Sequence, residues 1–280
     1  MAENKSYKYI LASDLDGTLL AKADTISPEN KKAIEELTKR GVCFVPCSGR
    51  TFGEMPEVIL NDPNIRYYIG ADGGAIFDKE TGERIELCMD RELASKVFDL
   101  LDRYPTLSSV RHKGVSYADA RKYNDETFSA HRVTRLYGEF IKYYVKPTDN
   151  FDETVRGFSS VEMICVFFAN DEDMEKCKKE LYELGDLNIA SSEPTNLEIF
   201  HSSAGKGNAL LALADKLGVP RERTVAVGDS KNDEDMIRKA GISLAMENAA
   251  DELKALADRT ICHYNEHSAK YILENVLTDI

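Results

Sequence analysis

Asp14-Leu15-Asp16-Gly17-Thr18 decides the fold assignment, because it directly follows the strand-like run Tyr7–Ser13. Residues i and i+2 of a strand share a face, so the two carboxylates lie together until Gly17 breaks the strand. Carboxylates this close raise each other's pKa unless a cation neutralises them. The stretch therefore predicts a site for a hard metal ion and an anionic substrate, with a solvated acidic turn as the alternative.

Further apolar runs end in polar glycine loops, which is the pattern of a doubly wound parallel α/β sheet. These runs and loops are Val42–Cys47 before Ser48-Gly49-Arg50, Arg66–Ile69 before Asp72-Gly73-Gly74, and Thr224–Val227 before Gly228-Asp229-Ser230. A helix is predicted to begin at Ser27-Pro28 and to end at Gly41, so the first two strands form a right-handed βαβ unit. Asn196–Phe200 is predicted to resume the parallel sheet, ahead of a helix over Lys206–Leu217.

The middle of the chain has a different pattern. Apolar residues at helical spacing predict helices over Glu92–Tyr104 and 172–184, and Val161–Phe168 is the clearest strand between them. We therefore predict a Rossmann-like core domain built from residues 1–82 and 190–280, and an inserted α+β domain at residues 83–189.

Composition excludes several classes of function. The 280 residues include 49 acidic and 36 basic ones, and the net charge of −13 opposes binding to nucleic acid or an anionic membrane. Six cysteines occur without a CxxC pair, which favours reduced thiols in the cytoplasm. No apolar stretch approaches about 18 residues and no leader-like segment opens the sequence. We expect a soluble cytoplasmic protein, and the oligomeric state is not indicated.

The polar clusters contain the groups that phosphoryl transfer requires. Hydrolysis of a phosphomonoester needs an in-line nucleophile, charge neutralisation and a proton for the leaving oxygen. Asp14 or Asp16 could attack phosphorus while the other acid carries the proton. Asp229 would complete an all-oxygen site for Mg²⁺, and Ser48, the backbone N–H groups near it and Lys206 could bind the phosphoryl group.

The chain resembles the haloacid dehalogenase (HAD) superfamily, and specifically its Cof-type phosphatases with an α/β cap (type IIB). The segments that carry the resemblance are Asp14–Leu19, Ser48-Gly49-Arg50, Lys206-Gly207, Gly228–Asp233, Ala240-Gly241-Ile242 and Ala245–Ala249. It implies a Mg²⁺-dependent phosphatase of small phosphorylated metabolites, with sugar phosphates as the expected substrates and an aspartyl-phosphate intermediate.

The resemblance also assigns roles to individual residues. It implies Asp14 as the nucleophile and Asp16 as general acid and then general base. The implied metal ligands are Asp14, the main-chain oxygen of Asp16 and Asp229, with Asp233 supporting them. The residues implied to bind phosphate or substrate are Ser48, Gly49, Arg50, Lys206 and Asn232.

Two other functions remain open from the residues. A sugar phosphomutase uses the same pair of acids, and a phospho-ligand sensor would keep the fold with little turnover. The second acid argues against dehalogenation, because a halide leaving group needs no proton. Two segments depart from the family pattern, namely Asp72-Gly73-Gly74-Ala75, in place of an Asn-Gly-Ala turn, and Asn265–Ala269.

Other candidate residues have ordinary structural explanations. Cys262, His263 and His267 could suggest a metal site, but a closed zinc site needs four ligands and no second pair is evident. Cys43 and Cys47 are expected to pack as small hydrophobes. Arg111-His112-Lys113 could contact an anionic or sugar-like group, and the tyrosines between residues 104 and 144 could line a pocket, with ordinary packing as the default.

Overall fold

The computed structural model describes residues 6–20 and 24–280, and the chain folds into two compact units. The first unit comprises Met1–Gly49, Met55–Ile85 and Lys206–Ile280, and the second comprises Arg50–Glu54 and Glu86–Gly205. The second unit therefore continues to Gly205, beyond the predicted end of the insertion, and it also includes a short segment that directly follows Gly49.

The described strands, in chain order, are β1 (Tyr9–Ser13), β2 (Val42–Pro46), β3 (Tyr67–Gly70), β4 (Ala75–Asp78), β5 (Arg84–Glu86), β6 (Met89–Asp90), β7 (Thr106–His112), β8 (Val115–Asp119), β9 (Lys146–Thr148), β10 (Ser160–Val161), β11 (Met163–Phe168), β12 (Leu187–Ala190), β13 (Asn196–His201), β14 (Thr224–Gly228), β15 (Ile242–Ala245) and β16 (Arg259–Thr260).

The described α-helices are α1 (Pro28–Lys39), α2 (Glu57–Leu60), α3 (Arg91–Leu101), α4 (Asp125–Ala130), α5 (Arg135–Tyr144), α6 (Phe151–Arg156), α7 (Asp171–Glu183), α8 (Lys206–Leu217), α9 (Glu234–Lys239), α10 (Asp251–Leu256) and α11 (Ser268–Asn275). Short 3-10 helices lie at Phe52–Glu54, Ala71–Gly73, Arg221–Arg223, Lys231–Asp233 and Tyr264–Glu266. Within the two described ranges, none of the helices has the length and apolar character needed to cross a membrane.

The first unit is organised around a parallel sheet. Its strand order is β16-β15-β14-β1-β2, and every neighbouring pair is parallel. β2 and β14 are buried along their whole length, as expected for strands covered on both faces. The predicted parallel α/β core is confirmed, and the carboxyl ends of β1, β2 and β14 meet at one edge.

Local sequence sets the crossover between the first two strands. The Oγ atom of Ser27 accepts a hydrogen bond from the backbone N–H of Asn30 at 3.2 Å, and Pro28 occupies the first turn of α1. Ala33, Ile34 and Leu37 form the buried side of this helix. The predicted helix start is therefore confirmed. After α1, the chain returns to the sheet as β2.

The third predicted strand belongs to a small sheet of its own. β3 pairs antiparallel with β4, and the sheet has the order β3-β4-β5. Its connection to β2 is an isolated parallel bridge between Cys47 and Ile69, followed by a hydrogen bond from the Ser48 N–H to the Ile69 carbonyl at 3.0 Å. This bridge brings the loop after β3 to the edge where β2 ends.

The second unit is an α+β domain around a mostly antiparallel sheet of order β12-β13-β11-β7-β8-β9. On one face, Ile164 and Val166 of β11 pack with Val97 of α3 and Leu181 of α7. The alternate residues of β11 face α4 and α5 on the opposite side. Complete burial of such an aliphatic side chain contributes about 1.5–3 kcal/mol, so both helical layers stabilise the sheet.

The prediction that Asn196–Phe200 resumes the parallel sheet was wrong. This segment forms β13, which pairs antiparallel with both β11 and β12 in the second unit. Its first five residues are buried because helices cover both faces of the sheet near it. An antiparallel strand covered on both faces has the same continuous burial as a parallel one, so its apolar pattern does not distinguish the two.

Candidate active site

The loop after β1 separates the environments of its two acids. The backbone N–H of Asp14 donates to the Val227 carbonyl at 2.9 Å, so Asp14 still follows the line of the sheet. Gly17 then adopts a φ of 81°, a conformation that favours glycine and permits a sharp turn. Asp14 is only 5% exposed, whereas Asp16 is exposed.

Lys206 is the buried cation of the site. It begins α8, and its Nζ atom lies 2.7 Å from Asp14 Oδ1 and 2.5 Å from Asp233 Oδ1. Burial alone would lower the pKa of Lys206, but the carboxylates of Asp14, Asp233 and Asp72 outweigh it and hold this pKa well above its usual value. The lysine therefore stays charged and joins two elements that are distant in sequence.

Asp229 lies at the end of β14 and is held by neighbours from two loops. Thr18 Oγ1 donates to Asp229 Oδ1 at 3.1 Å, and Asn248 Nδ2 donates to Asp229 Oδ2 at 3.2 Å. The Asn248 amide also donates to the Gly17 carbonyl at 2.9 Å. These contacts fix the carboxylate beside the β1 loop.

Asp233 stabilises the loop after β14 through its side chain. Its Oδ2 atom accepts the backbone N–H groups of Asp229 and Ser230, both at 3.0 Å, and the side chain is fully buried. Its other oxygen accepts from Lys206. Asp233 therefore holds both the loop backbone and the lysine, which is the kind of bracing that fixes a preorganised polar site.

Three acidic side chains can hold a divalent cation. One carboxylate oxygen from each of Asp14, Asp229 and Asp233 lies within 4.8 Å of the others. Burial, followed by the charge of Asp233, raises the pKa of Asp14 well above its usual range and that of Asp229 to about 7. Clustered carboxylate oxygens whose ionised forms are disfavoured are the ligand set that a hard cation would stabilise, so the residues present fit such an ion.

The loops after β2 and β3 bring further polar groups to the same unit. Ser48 is 3% exposed, and its carbonyl accepts the Asp72 N–H at 3.2 Å. Asn232 Nδ2 donates to Asp72 Oδ1 at 3.0 Å, and Asn232 Oδ1 accepts from Ser230 Oγ at 2.5 Å. Asp72, which was not among the predicted binding groups, thus connects Ser48 to Asn232.

Arg50 and Asp16 are placed differently from the other predicted site residues. Arg50 belongs to the second unit, where its guanidinium carbon lies 4.9 Å from the centre of the Phe140 ring and its Nη1 donates to the Glu54 carbonyl at 3.4 Å. The Asp16 side chain is not in the three-carboxylate group. The resemblance assigns its main-chain oxygen, not its carboxylate, to the metal, and that assignment stays a prediction.

The alternative sites have structural explanations. His267 Nδ1 lies 2.9 Å from Ser27 Oγ, and His263 Nδ1 accepts the Asn265 N–H at 3.3 Å. Within residues 6–20 and 24–280, the one group of three or more candidate metal ligands is the aspartate group. Cys43 and Cys47 are both buried, as expected for small hydrophobes.

The side chains of the Arg111-His112-Lys113 segment have separate environments. Arg111 is buried, whereas the His112 ring stacks on Phe158 with a centroid distance of 4.2 Å. Tyr137 is among the partly buried residues that pack against the α4 and α5 side of the sheet. The packing interpretation therefore accounts for His112 and Tyr137.

Sequence reasoning gave no role to Thr18, Asn248 or Asp72. Each is bonded to a predicted site residue: Thr18 and Asn248 to Asp229, and Asp72 to Asn232. One signal was available, because all three follow strands that end at the same edge of the first unit. Their hydrogen bonds depend on loop conformation, which the pattern of apolar residues does not specify.

A parallel α/β sheet with an inserted α+β domain, and a lysine among carboxylates at the strand ends, fits an enzyme of phosphoryl transfer. The sequence profile of the haloacid dehalogenase-like hydrolases matches residues 11–273, and the chain belongs to this family. Its relatives are named phosphatases, and the chain is a phosphoric monoester hydrolase with the Cof-type, HAD-like fold.

Named relatives span nearly the whole chain. The 5-amino-6-(5-phospho-D-ribitylamino)uracil phosphatase YwtE of Bacillus subtilis is 29% identical, with 96% of this chain and 98% of that protein covered. A second B. subtilis protein of the same described activity, YcsE, is 32% identical over 89% of this chain and 88% of its own length.

Solved structures agree on the fold. A haloacid dehalogenase-like hydrolase from B. subtilis superposes with a TM-score of 0.80 at 26% identity, covering 96% of this chain and 99% of that one. A HAD subclass IIB sugar phosphatase, at 20% identity, superposes with a TM-score of 0.76 over 95% of this chain and 98% of its own, and it supports the fold alone.

Proposed function

We propose that this phosphatase is a Mg²⁺-dependent enzyme that hydrolyses small phosphorylated metabolites, chiefly sugar phosphates, through an aspartyl-phosphate intermediate. The observation that carries the proposal is the contrast between the two acids of the β1 loop. Asp14 is buried and hydrogen-bonded to Lys206, whereas Asp16 is exposed. A fixed carboxylate suits nucleophilic attack, and an exposed acid can exchange protons with water.

Asp14 acts as the nucleophile. Lys206 holds its Oδ1 atom, so Oδ2 attacks phosphorus in line with the leaving oxygen. The ester P–O bond breaks, the leaving alkoxide takes a proton from Asp16, and the phosphoryl group remains on Asp14. Water then attacks the same phosphorus and gives one proton to Asp16, while the bond between phosphorus and Asp14 Oδ2 breaks. Phosphate is released, Asp14 is again a carboxylate and Asp16 is again protonated.

Asp14, the main-chain oxygen of Asp16 and Asp229 would hold Mg²⁺, with Asp233 supporting them. When bound, the ion would neutralise the carboxylates and the phosphoryl oxygens. Ser48 and the backbone near Gly49 would donate hydrogen bonds to the phosphoryl group, and Lys206 and Asn232 would complete its binding. Arg50 remains a proposed substrate contact. The cytoplasmic location stays a prediction based on the cysteine pattern.

A second candidate substrate comes from the named relatives. Two of them are called 5-amino-6-(5-phospho-D-ribitylamino)uracil phosphatases, and one of these is 32% identical to this chain. This compound and the sugar phosphates share a phosphate ester on a hydroxylated carbon chain. We therefore include it beside the sugar phosphates as a substrate to test.

The test is phosphate release from a panel of phosphomonoesters. The panel contains hexose and pentose phosphates, the ribitylaminouracil phosphate and p-nitrophenyl phosphate, each assayed with MgCl₂ and with EDTA. We expect Mg²⁺-dependent release that is lost in Asp14→Asn. The proposal fails if no ester releases phosphate, or if Asp14→Asn releases it at the unaltered rate.

The same reactions distinguish the alternative functions. Formation of an isomeric sugar phosphate without free phosphate would indicate a phosphomutase. Tight binding of a phosphosugar with negligible turnover would indicate a sensor. Phosphate and organic products are therefore both quantified, by colorimetry and by ³¹P NMR, so that each outcome gives a different product balance.

A further inference from the structure

Asp72 is a buried acid in contact with several groups that we assign to phosphoryl binding. Its Oδ1 atom accepts the amide of Asn232 at 3.0 Å and lies 4.0 Å from Lys206 Nζ. Its backbone N–H donates to the Ser48 carbonyl at 3.2 Å. A Cβ atom built on Gly49 would lie 3.2 Å from Asp72 Oδ2, so this carboxylate also borders the glycine.

The backbone holds Asp72 in this position. Its φ of 49° and ψ of 37° lie in the left-handed region, which aspartate, asparagine and glycine adopt more readily than other residues. The side chain is 2% exposed. Little solvent therefore screens its charge from Lys206 and from any anion that uses the same donors.

Two of the proposed phosphoryl-binding groups, Asn232 and Lys206, already interact with Asp72. One N–H of the Asn232 amide is directed at its carboxylate, and Lys206 has Asp72 as a third acidic neighbour beside Asp14 and Asp233. A phosphoryl dianion bound to these donors would be repelled by the Asp72 charge. Because repulsion between like charges is strong at a buried site, it lowers the affinity of this set of donors for phosphate.

We propose that Asp72 is a positioning residue that weakens the binding of phosphate, and thereby promotes release of the product, through Lys206 and Asn232. This inference rests on the proposed function, since it concerns the same phosphoryl-binding groups. It adds a property that the catalytic roles do not require, namely low product inhibition.

The test is the affinity of the whole protein for inorganic phosphate, measured by calorimetry with and without MgCl₂. Asp72→Asn preserves the left-handed backbone and an acceptor for Asn232 while removing the charge. We expect its dissociation constant for phosphate to fall at least tenfold, about 1.4 kcal/mol of added affinity. The product-inhibition constant should fall by the same factor, and KM should fall with it.

Asp72→Gly is a second variant that tolerates the backbone conformation and also removes the charge. It should tighten phosphate binding as well, though by less, because the partner of Asn232 is lost. Asp251→Asn is the matched control, since it changes the net charge equally at a side chain that is 99% exposed. The control should bind phosphate within twofold of the unaltered protein.

Unchanged or weaker phosphate binding in both Asp72 variants would overturn the inference. A residue needed only for structure would give weaker binding, so the sign of the change separates the two explanations. Failure of the inference is distinct from failure of the proposed function. If esters are hydrolysed in an Asp14-dependent way but neither Asp72 variant binds phosphate more tightly, then only the role of Asp72 is wrong.

Discussion

Each of the two units buries a cation among carboxylates, but the contacts differ. In the first unit, Lys206 Nζ is within hydrogen-bonding distance of Asp14 and Asp233. In the second unit, Arg111 Nε lies 3.9 Å from its neighbour Glu54 Oε2. Across the described part of the chain, Arg111 Nε and Nη1 have no hydrogen-bond partner in the protein. In the first cluster, Lys206 is hydrogen-bonded directly to its carboxylates. In the second cluster, Arg111 lies near a carboxylate without a direct hydrogen bond to it.

The carboxylates of the second cluster are held by local donors. Glu54 Oε2 accepts the Thr51 N–H at 2.6 Å. Glu198, whose charge also acts on Arg111, accepts from Ser192 Oγ through its Oε1 atom at 2.6 Å. Burial alone would lower the pKa of Arg111, but the charge of Glu54 keeps it well above its usual value. The difference suggests that the first cluster depends on its lysine as a structural link, while the acids of the second retain their own hydrogen bonds.

The largest expected effect concerns the acid that Lys206 holds. Asp14→Asn should reduce phosphate release by about a thousandfold or more, because an amide cannot form the aspartyl-phosphate. Asp16→Asn should reduce it by about a hundredfold or more through loss of proton transfer, while leaving metal binding largely intact. Single-turnover assays and titration with Mg²⁺ measure both effects. Loss of Mg²⁺ binding in Asp16→Asn would require the roles of the two acids to be revised.

The second prediction concerns removal of the Lys206 charge that connects Asp14 with Asp233. Lys206→Met leaves Asp14 and Asp233 buried without their cation, and it should lower the free energy of unfolding by about 3–5 kcal/mol at pH 8. Urea denaturation of the whole protein measures the change. Lys216→Met is the control on the same helix, because its pair with Glu83 at 2.7 Å is partly exposed and should contribute less than about 1 kcal/mol. Equal losses in the two variants would contradict the linking role.

The sequence predicted those parts of the site that strand ends determine. Asp14, Asp229 and Ser48 follow strands of one parallel sheet, so their convergence follows from topology alone. Lys206 lies at the start of a helix whose boundaries the sequence pattern also predicts. The contacts of Asp72 and Asn248 were not predicted, because they depend on a left-handed loop residue in one case and on an amide spanning two loops in the other.

The errors in the fold have a similar cause. Burial on both faces determines the apolar pattern of a strand, but not which sheet the strand joins. The apolar pattern of β13 therefore led to the prediction of a parallel strand, although β13 lies between β11 and β12 in the second unit. Arg50 follows Ser48-Gly49 in sequence, but the two units divide at that point, so adjacency in the motif did not predict its environment.

The third prediction uses pH to test the charge balance of the first cluster. The pKa of Asp229 is raised to about 7 by burial and by the charge of Asp233, so folding favours its protonated form. This contribution to stability is fully present below the ordinary aspartate pKa of about 4 and is lost as pH rises towards 7. Without added metal, the melting temperature should therefore fall over this interval by a few degrees.

Two comparisons check that result. MgCl₂ should restore the melting temperature at pH 7 to 8 more than at pH 5, because the ion binds the ionised carboxylates. Asp229→Asn should flatten the decline, since its amide does not titrate. A decline that persists unchanged in Asp229→Asn would assign the effect to other groups.

The smallest expected effect concerns the second cluster. It compares most directly how strongly the cation of each unit is coupled to its carboxylate. In a double-mutant cycle, Arg111→Met with Glu54→Gln should give a coupling energy of about 1 kcal/mol, whereas Lys206→Met with Asp14→Asn should give about 2–3 kcal/mol. The order follows from the contacts, because the lysine pair includes a 2.7 Å hydrogen bond and the arginine pair is 3.9 Å apart. Glu54 also keeps its bond from the Thr51 N–H when Arg111 is replaced. Equal coupling energies would mean that burial, rather than direct bonding, determines how strongly each cation is tied to its unit.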